Sequence, residues 1–174
     1  MVALKAMRSD NAPEFIEGEM KQFCTENNIS QDVASPHEQW QNGVAENFVR
    51  VLKEAIRVML TSSGLPRNTW GWAAVYEIEI RNEMPHASNP GRRSPNMMFY
   101  HCEPRLGMLR RFGCRAVLTR GKDTVRDGAL DNRGISGIFV GIGESENRKC
   151  YKVWNPTNNR VYYGMHVQFD ETDM

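Results

Sequence analysis

Apolar positions recur along this chain with two different periods, near 3.6 residues before about Leu109 and near 2 after it. Met1 to Met7 is a short apolar run that stops at Arg8-Ser9-Asp10-Asn11, which predicts a buried strand delivering Asp10 at its C-terminal end. Pro13 suits the first turn of a helix, with Asn11 as its cap. Ile16, Met20, Phe23 and Cys24 continue at helical spacing until Asn27-Asn28 stops the run. Ile29 to Ala34 predicts a second strand. Ser35 to Gly43 is too rich in breakers and polar groups to be regular and reads as a loop.

A long helix follows, from the Asn42-Gly43-Val44-Ala45-Glu46-Asn47 stretch to near Leu60. With Glu46 as the zero of a wheel turning about 100° per residue, Arg50, Lys53 and Arg57 fall at about 40°, 340° and 20°. Phe48, Leu52, Ala55, Ile56 and Met59 occupy roughly 180° to 280°, the face expected to bury. The helix therefore presents a carboxylate at its start, followed by three cations on one stripe. A solvated charged face explains that stripe as readily as a ligand site does.

Gly64-Leu65-Pro66 ends this helix and starts another, with Trp70, Ala73, Ala74 and Ile78 as its expected buried side and Pro85 closing it. Ser94-Pro95 starts a short helical turn. Beyond Leu109, the segments around Ala116–Leu118, Ile135–Ile142, Tyr151–Trp154 and Val161–Phe169 predict strands. Asn155-Pro156-Thr157-Asn158-Asn159 predicts a hairpin loop, and Gly137, Gly141 and Gly143 predict bulges or the corners of a small barrel. The fold class is α/β followed by all-β, in two domains.

Composition narrows the chemistry without choosing it. Hydrophobic residues make up 40% and charged residues 25% of 174 positions, ordinary for a globular protein, and no apolar run is long enough to span a bilayer. The net charge of +1 gives no global basic field. The charge is uneven: eleven basic against thirteen acidic residues through Arg105, then eleven against eight. Cys24, Cys102, Cys114 and Cys150 show no C-x-x-C spacing, and the four histidines are scattered. A zinc site is not supported, and the cysteines read as reduced, small apolar residues of an intracellular protein.

Asp10 at a strand end and Glu46 at a helix start, with 35 residues between them, are the candidate chemistry. Carboxylates gathered at the end of a sheet bind Mg²⁺, and a pair of such ions can activate a water or a 3′-hydroxyl in phosphodiester chemistry.

At these residues the chain resembles the integrases of copia-type long-terminal-repeat retrotransposons. The resemblance is carried by Arg8-Ser9-Asp10-Asn11, Glu14-Phe15, Phe23-Cys24, Ser35-Pro36 and Gln41-Asn42-Gly43-Val44-Ala45-Glu46. It continues through Leu65-Pro66, Trp70, Arg81-Asn82, Ser94-Pro95, Arg111-Phe112-Gly113-Cys114, Gly137 to Gly141 and Val167 to Glu171. It implies a partial ribonuclease-H-like integrase core over residues 1–105, followed by a small SH3-like β-barrel over 106–174. It also implies an Asp-Asp-Glu triad using Mg²⁺ or Mn²⁺ to trim and join DNA 3′ ends, with Asp10 as the second acid and Glu46 as the third.

The first acid of that triad has no counterpart in this sequence, so the chain is expected to be inactive in strand transfer by itself. Ala12-Pro13, Glu38-Gln39-Trp40 and Asn47 depart from the family pattern at the rim of the site. Asn42, Arg50, Lys53 and Arg57 are the expected DNA contacts, giving salt-sensitive, sequence-tolerant binding. Trp40, Trp70 and Trp72 offer stacking surfaces for bases, with core packing the expectation for Trp70 and Trp72. Arg110, Arg111, Arg115, Arg120 and Lys122 are further candidates to touch DNA or a neighbouring subunit. Action in the nucleus or a cytoplasmic particle, as a homo-oligomer and with no membrane association, is implied by the resemblance. The rival readings are a non-catalytic DNA-binding or interaction module and an inactive transposon relic.

Overall fold

A parallel pair of strands joined through helices opens the chain, and a curled antiparallel sheet dominates its second part. The computed structural model describes residues 4–9, 11–33, 43–119, 134–145 and 148–172. By density of contacts the chain divides into two compact units, Met1–Val51 and Leu52–Met174.

In the first unit, β1 (Ala6–Ser9) pairs in parallel with β2 (Ser30–Val33), with Ala6 opposite Ser30 and Ser9 opposite Val33. The crossover is made by α1 (Pro13–Ile16) and α2 (Gly18–Glu26). The expected single helix is thus two. Glu17 is extended and Gly18 sits at φ +60°, a left-handed conformation that glycine alone adopts without cost, so the hydrogen-bond ladder breaks there. Ala12, not Asn11, occupies the cap position of α1, and no side chain caps it. Asn27 and Asn28 end α2 as expected, Asn28 taking φ +54°.

The strand expected to be buried is mostly exposed, with only Ser9 of its four residues buried. One parallel partner covers one edge and neither face. The pair is pinned by local links: Gln31 Nε2 donates to the Phe15 carbonyl at 2.7 Å, and Arg8 Nη2 meets Asp32 Oδ2 at 2.5 Å.

Helix α3 (Gly43–Ser63) runs its expected course, and Gly64 at φ +64° stops it. None of its residues is fully buried, and Phe48, on the face expected to bury, is exposed. Further along, Ile56, Met59 and Leu60 pack half-buried on the core of the second unit. A 3-10 turn (Arg67–Thr69) leads into α4 (Trp70–Glu83), and Ser94 caps α5 (Pro95–Tyr100) by accepting the Met97 amide at 3.2 Å. No helix among the described residues is long and apolar enough to cross a membrane.

The sheet comprises β3 (Arg115–Thr119), β4 (Gly134–Ser145), β5 (Arg148–Asn155), β6 (Arg160–Gly164) and β7 (Val167–Asp170), ordered β6-β5-β4-β3-β7 and antiparallel throughout. Laid flat, five strands would put the outer two about 19 Å apart. Only Met165 and His166 join β6 to β7, a reach of about 11 Å at most. The sheet must curl to bring its edges within that reach. Accordingly, a Cβ on Gly164 of β6 would lie 2.4 Å from Leu118 of β3. The expected single segment Val161–Phe169 is therefore two strands, divided where the chain crosses between the edges.

The expected hairpin joins β5 to β6, with Asn155 opposite Arg160. The expected bulge falls between Phe139 and Gly141, where Gly141 takes φ +126° and a Cβ would lie 3.4 Å from Tyr76 Cβ and 3.7 Å from its ring. Tyr76 of α4 plugs the curled sheet. Its ring stands edge-on to Phe139 at 5.1 Å and stacks near Phe112 at 6.1 Å. Its hydroxyl donates to the Arg110 carbonyl at 2.5 Å and accepts the Arg110 amide at 2.8 Å. Burial pushes its pKa up to about 12.

The buried side of α4 is thus Ala73, Tyr76 and Glu77, while Trp70 (60% exposed) and Ile78 (39%) face water, contrary to expectation. At its end the buried Glu83 carboxylate accepts from Asn96 Nδ2 at 2.9 Å and from the Arg105 amide at 2.8 Å, tying α5 and the following loop to α4.

Candidate nucleic-acid interface

The apolar residues of α3 turn toward the core at Ile56, Met59 and Leu60, which leaves the opposite stripe to solvent. Glu46, Arg50, Lys53 and Arg57 are all exposed on that stripe. At 1.5 Å per residue they span about 16 Å of helix axis. Glu46 lies in the first turn, where the helix dipole favours a carboxylate. Arg50 Nη2 donates to Asn47 Oδ1 at 2.9 Å, which steadies the guanidinium one turn beyond Glu46.

Asp10 and Asn42, the other expected site residues, lie outside the described residues, as do Trp40, Gln41, Arg120 and Lys122. Of the expected pair of acids, then, Glu46 is the one whose position is described. Its carboxylate is a hard oxygen donor of the kind Mg²⁺ prefers. Among the described residues no group of three His, Cys, Asp or Glu side chains could hold a metal ion. Glu46 would need Asp10 beside it to form even a minimal site.

The sequence reading named Lys53, Arg57 and Trp70 as separate candidates for DNA, but neither Arg67 nor a groove joining them where α3 meets α4. There the structure has a groove of about 630 Å³ lined by Lys53, Ile56, Arg57, Leu60, Thr61, Gly64, Leu65, Arg67 and Trp70. Trp70 was expected in the core because it sits at helical spacing from Ala73 and Ala74. The signal against that reading was the neighbouring Tyr76, a second large aromatic whose hydroxyl could find a buried partner.

Two of the expected basic contacts are engaged within the chain. Arg110 lies over the Phe169 ring at 5.2 Å and donates from Nη1 to the Leu109 carbonyl at 2.7 Å. The Arg111 amide donates to Glu171 Oε1 at 3.1 Å, and its Nη1 donates to the Glu171 carbonyl at 3.2 Å. Two of the buried thiols, Cys114 and Cys150, are held in the protonated, unreactive form. Burial raises Cys114 to about 11, with the Glu171 carboxylate adding to it, and burial also raises Cys150.

The retroviral polymerase SH3-like domain family matches residues 114–174, the stretch holding all five strands of the curled sheet. The chain is 32% identical over 174 residues to the retrovirus-related Pol polyprotein from transposon TNT 1-94 of Nicotiana tabacum, a match covering 98% of this chain and 12% of that protein. It is 25% identical over 163 residues to the Pol polyprotein from transposon RE1 of Arabidopsis thaliana, covering 94% of this chain and 11% of the relative. The chain thus spans a small part of the relatives it matches. Among solved structures, a chain of the simian T-cell lymphotropic virus intasome in complex with PP2A regulatory subunit B56 gamma aligns with a TM-score of 0.43 at 15% identity, covering 91% of this chain and 54% of that one. Nearly the whole chain is thus similar to one stretch of retrovirus-related transposon Pol polyproteins, and its residues 114–174 match the retroviral polymerase SH3-like domain.

Proposed function

We propose that this chain is the DNA-holding part of a copia-type integrase, and that in the whole polyprotein-derived enzyme it serves metal-dependent 3′-end processing and strand transfer. Asp10 and Glu46 are the proposed carboxylate ligands of Mg²⁺ or Mn²⁺, Asn42 is a proposed DNA contact, and the region before β3 is the proposed ribonuclease-H-like part. The ions would polarise phosphodiester oxygens when bound. The chain's own share is to hold the duplex: Arg50, Lys53 and Arg57 meet successive phosphates while Glu46 stands at the end of the same stripe. Action as a homo-oligomer in the nucleus belongs to the same proposal.

The observation that supports it is the exposed stripe of α3, on which one acid and three cations follow one another at one-turn spacing. The test is fluorescence anisotropy of a blunt DNA duplex at rising salt. Each phosphate contact adds about 0.9 to the slope of log affinity against log salt. Changing Arg50, Lys53 and Arg57 together to Ala should flatten the slope by roughly 2 to 3 and weaken all sequences alike. An unchanged slope would overturn the DNA-holding role. Mg²⁺-enhanced binding that disappears in Glu46→Gln supports the metal assignment, and binding indifferent to chelator and to that change leaves a non-catalytic DNA-binding module.

A further inference from the structure

The groove between α3 and α4 has a lining whose chemistry is one-sided. Lys53, Arg57 and Arg67 are all exposed along it, and none of its lining residues is acidic. Its apolar lining comes from Ile56, Leu60 and Leu65, half-buried because their other sides pack on the core. At one end stands Trp70, 60% exposed. The contrast with Trp72 is informative. Two residues on, that indole finds the Trp154 ring at 5.7 Å, whereas Trp70 has no ring partner among the described residues.

Three positive charges with no acid among them call for a polyanion. An exposed indole beside them calls for a planar face at the spacing of a charged backbone. A nucleic-acid strand offers both, but only where its bases are unpaired, because a duplex keeps its base faces stacked inside. We infer that the groove holds an unpaired stretch of nucleic acid, with Lys53, Arg57 and Arg67 on the phosphates and Trp70 stacked on a base. This rests on the DNA-holding reading of α3 and extends it past the helix to Arg67 and Trp70. Sequence tolerance follows, since every base has a π-face.

The test uses the full chain with two probes, an oligo-dT of about 10 nucleotides and a blunt duplex, the length being set by typical single-strand site sizes. Oligo-dT should bind with a log–log salt slope of about −2, as three phosphate contacts on a single strand give. Trp70→Ala should weaken oligo-dT binding roughly 5- to 100-fold, as loss of one stacked base does. Duplex binding should stay as it was, and Trp70→Phe should restore part of the loss. Arg67→Ala should shrink the slope by about 0.7. Because both side chains are exposed, the variants should keep the parent's far-ultraviolet circular dichroism. Oligo-dT affinity unchanged in Trp70→Ala while the duplex still binds overturns the groove assignment and leaves the α3 reading standing. Failure of the duplex to bind overturns the α3 reading. Displacement of oligo-dT by polyglutamate at equal charge concentration overturns the choice of nucleic acid in favour of an acidic peptide.

Discussion

Among the described residues, two sheets solve the same problem with different resources. In β1–β2, two strands of four residues pair in parallel, and of those eight residues only Ser9 is buried. In β3 alone, five residues alternate exposed and buried, with Ala116 and Leu118 closed off. A parallel pair buries its residues only when both of its faces are covered, and two strands supply no cover of their own. The antiparallel sheet covers itself by curling and takes rings from outside, Tyr76 backed by Phe112, to fill its centre. Burial here follows from how many partners a strand has more than from its own residues.

Emptying the centre of the curled sheet has the largest effect. Phe139 is fully buried and edge-on to Tyr76 and Phe169, so Phe139→Ala should destabilise the second unit by roughly 3–5 kcal/mol, read from urea unfolding. Amide exchange in β1 and β2 should stay at its original rate; a matching rise there would show that the two units unfold as one.

A smaller effect comes from Tyr76→Phe, which removes a hydroxyl bonded to both the amide and the carbonyl of Arg110, at a cost of about 1–3 kcal/mol. It carries a pH signature. The folded protein holds that proton to about pH 12, past the value near 10 at which the unfolded chain releases it. The contribution is therefore complete below pH 10 and lost as pH climbs toward 12, by up to about 2–3 kcal/mol. Melting temperatures across that window should fall less steeply in Tyr76→Phe than in the parent. Least of all, Arg8→Ala should change stability by no more than about 1 kcal/mol, because its pair with Asp32 is over half exposed on both sides. A larger loss would mean the parallel pair depends on that link.

Much of this architecture was legible in the residues. Asn27-Asn28, Gly64-Leu65-Pro66, Ser94-Pro95 and the Asn155–Asn159 loop marked boundaries that the structure keeps, because each relies on local backbone chemistry. The break at Glu17-Gly18 was missed, since the apolar residues on either side remain at helical spacing and periodicity cannot see one left-handed glycine. Trp70 was misplaced for a different reason. Burial on α4 is decided by which ring fits the curled sheet, and that is settled by residues some thirty to ninety positions away, Arg110, Phe112, Phe139 and Phe169. Of the candidate site, the stripe from Glu46 to Arg57 was readable from the wheel. The groove was not, because it needs the turn between two helices to bring Arg67 and Trp70 beside Lys53 and Arg57.

The two-residue crossing at Met165-His166 has a consequence for life at high concentration. By drawing the two marginal strands toward each other, it confines the unused amides and carbonyls of the described sheet to two short runs, five residues of β6 and four of β7, a poor template for a neighbour's strand. Crowded copies of this domain should resist fibrous stacking through that sheet, whatever else they share.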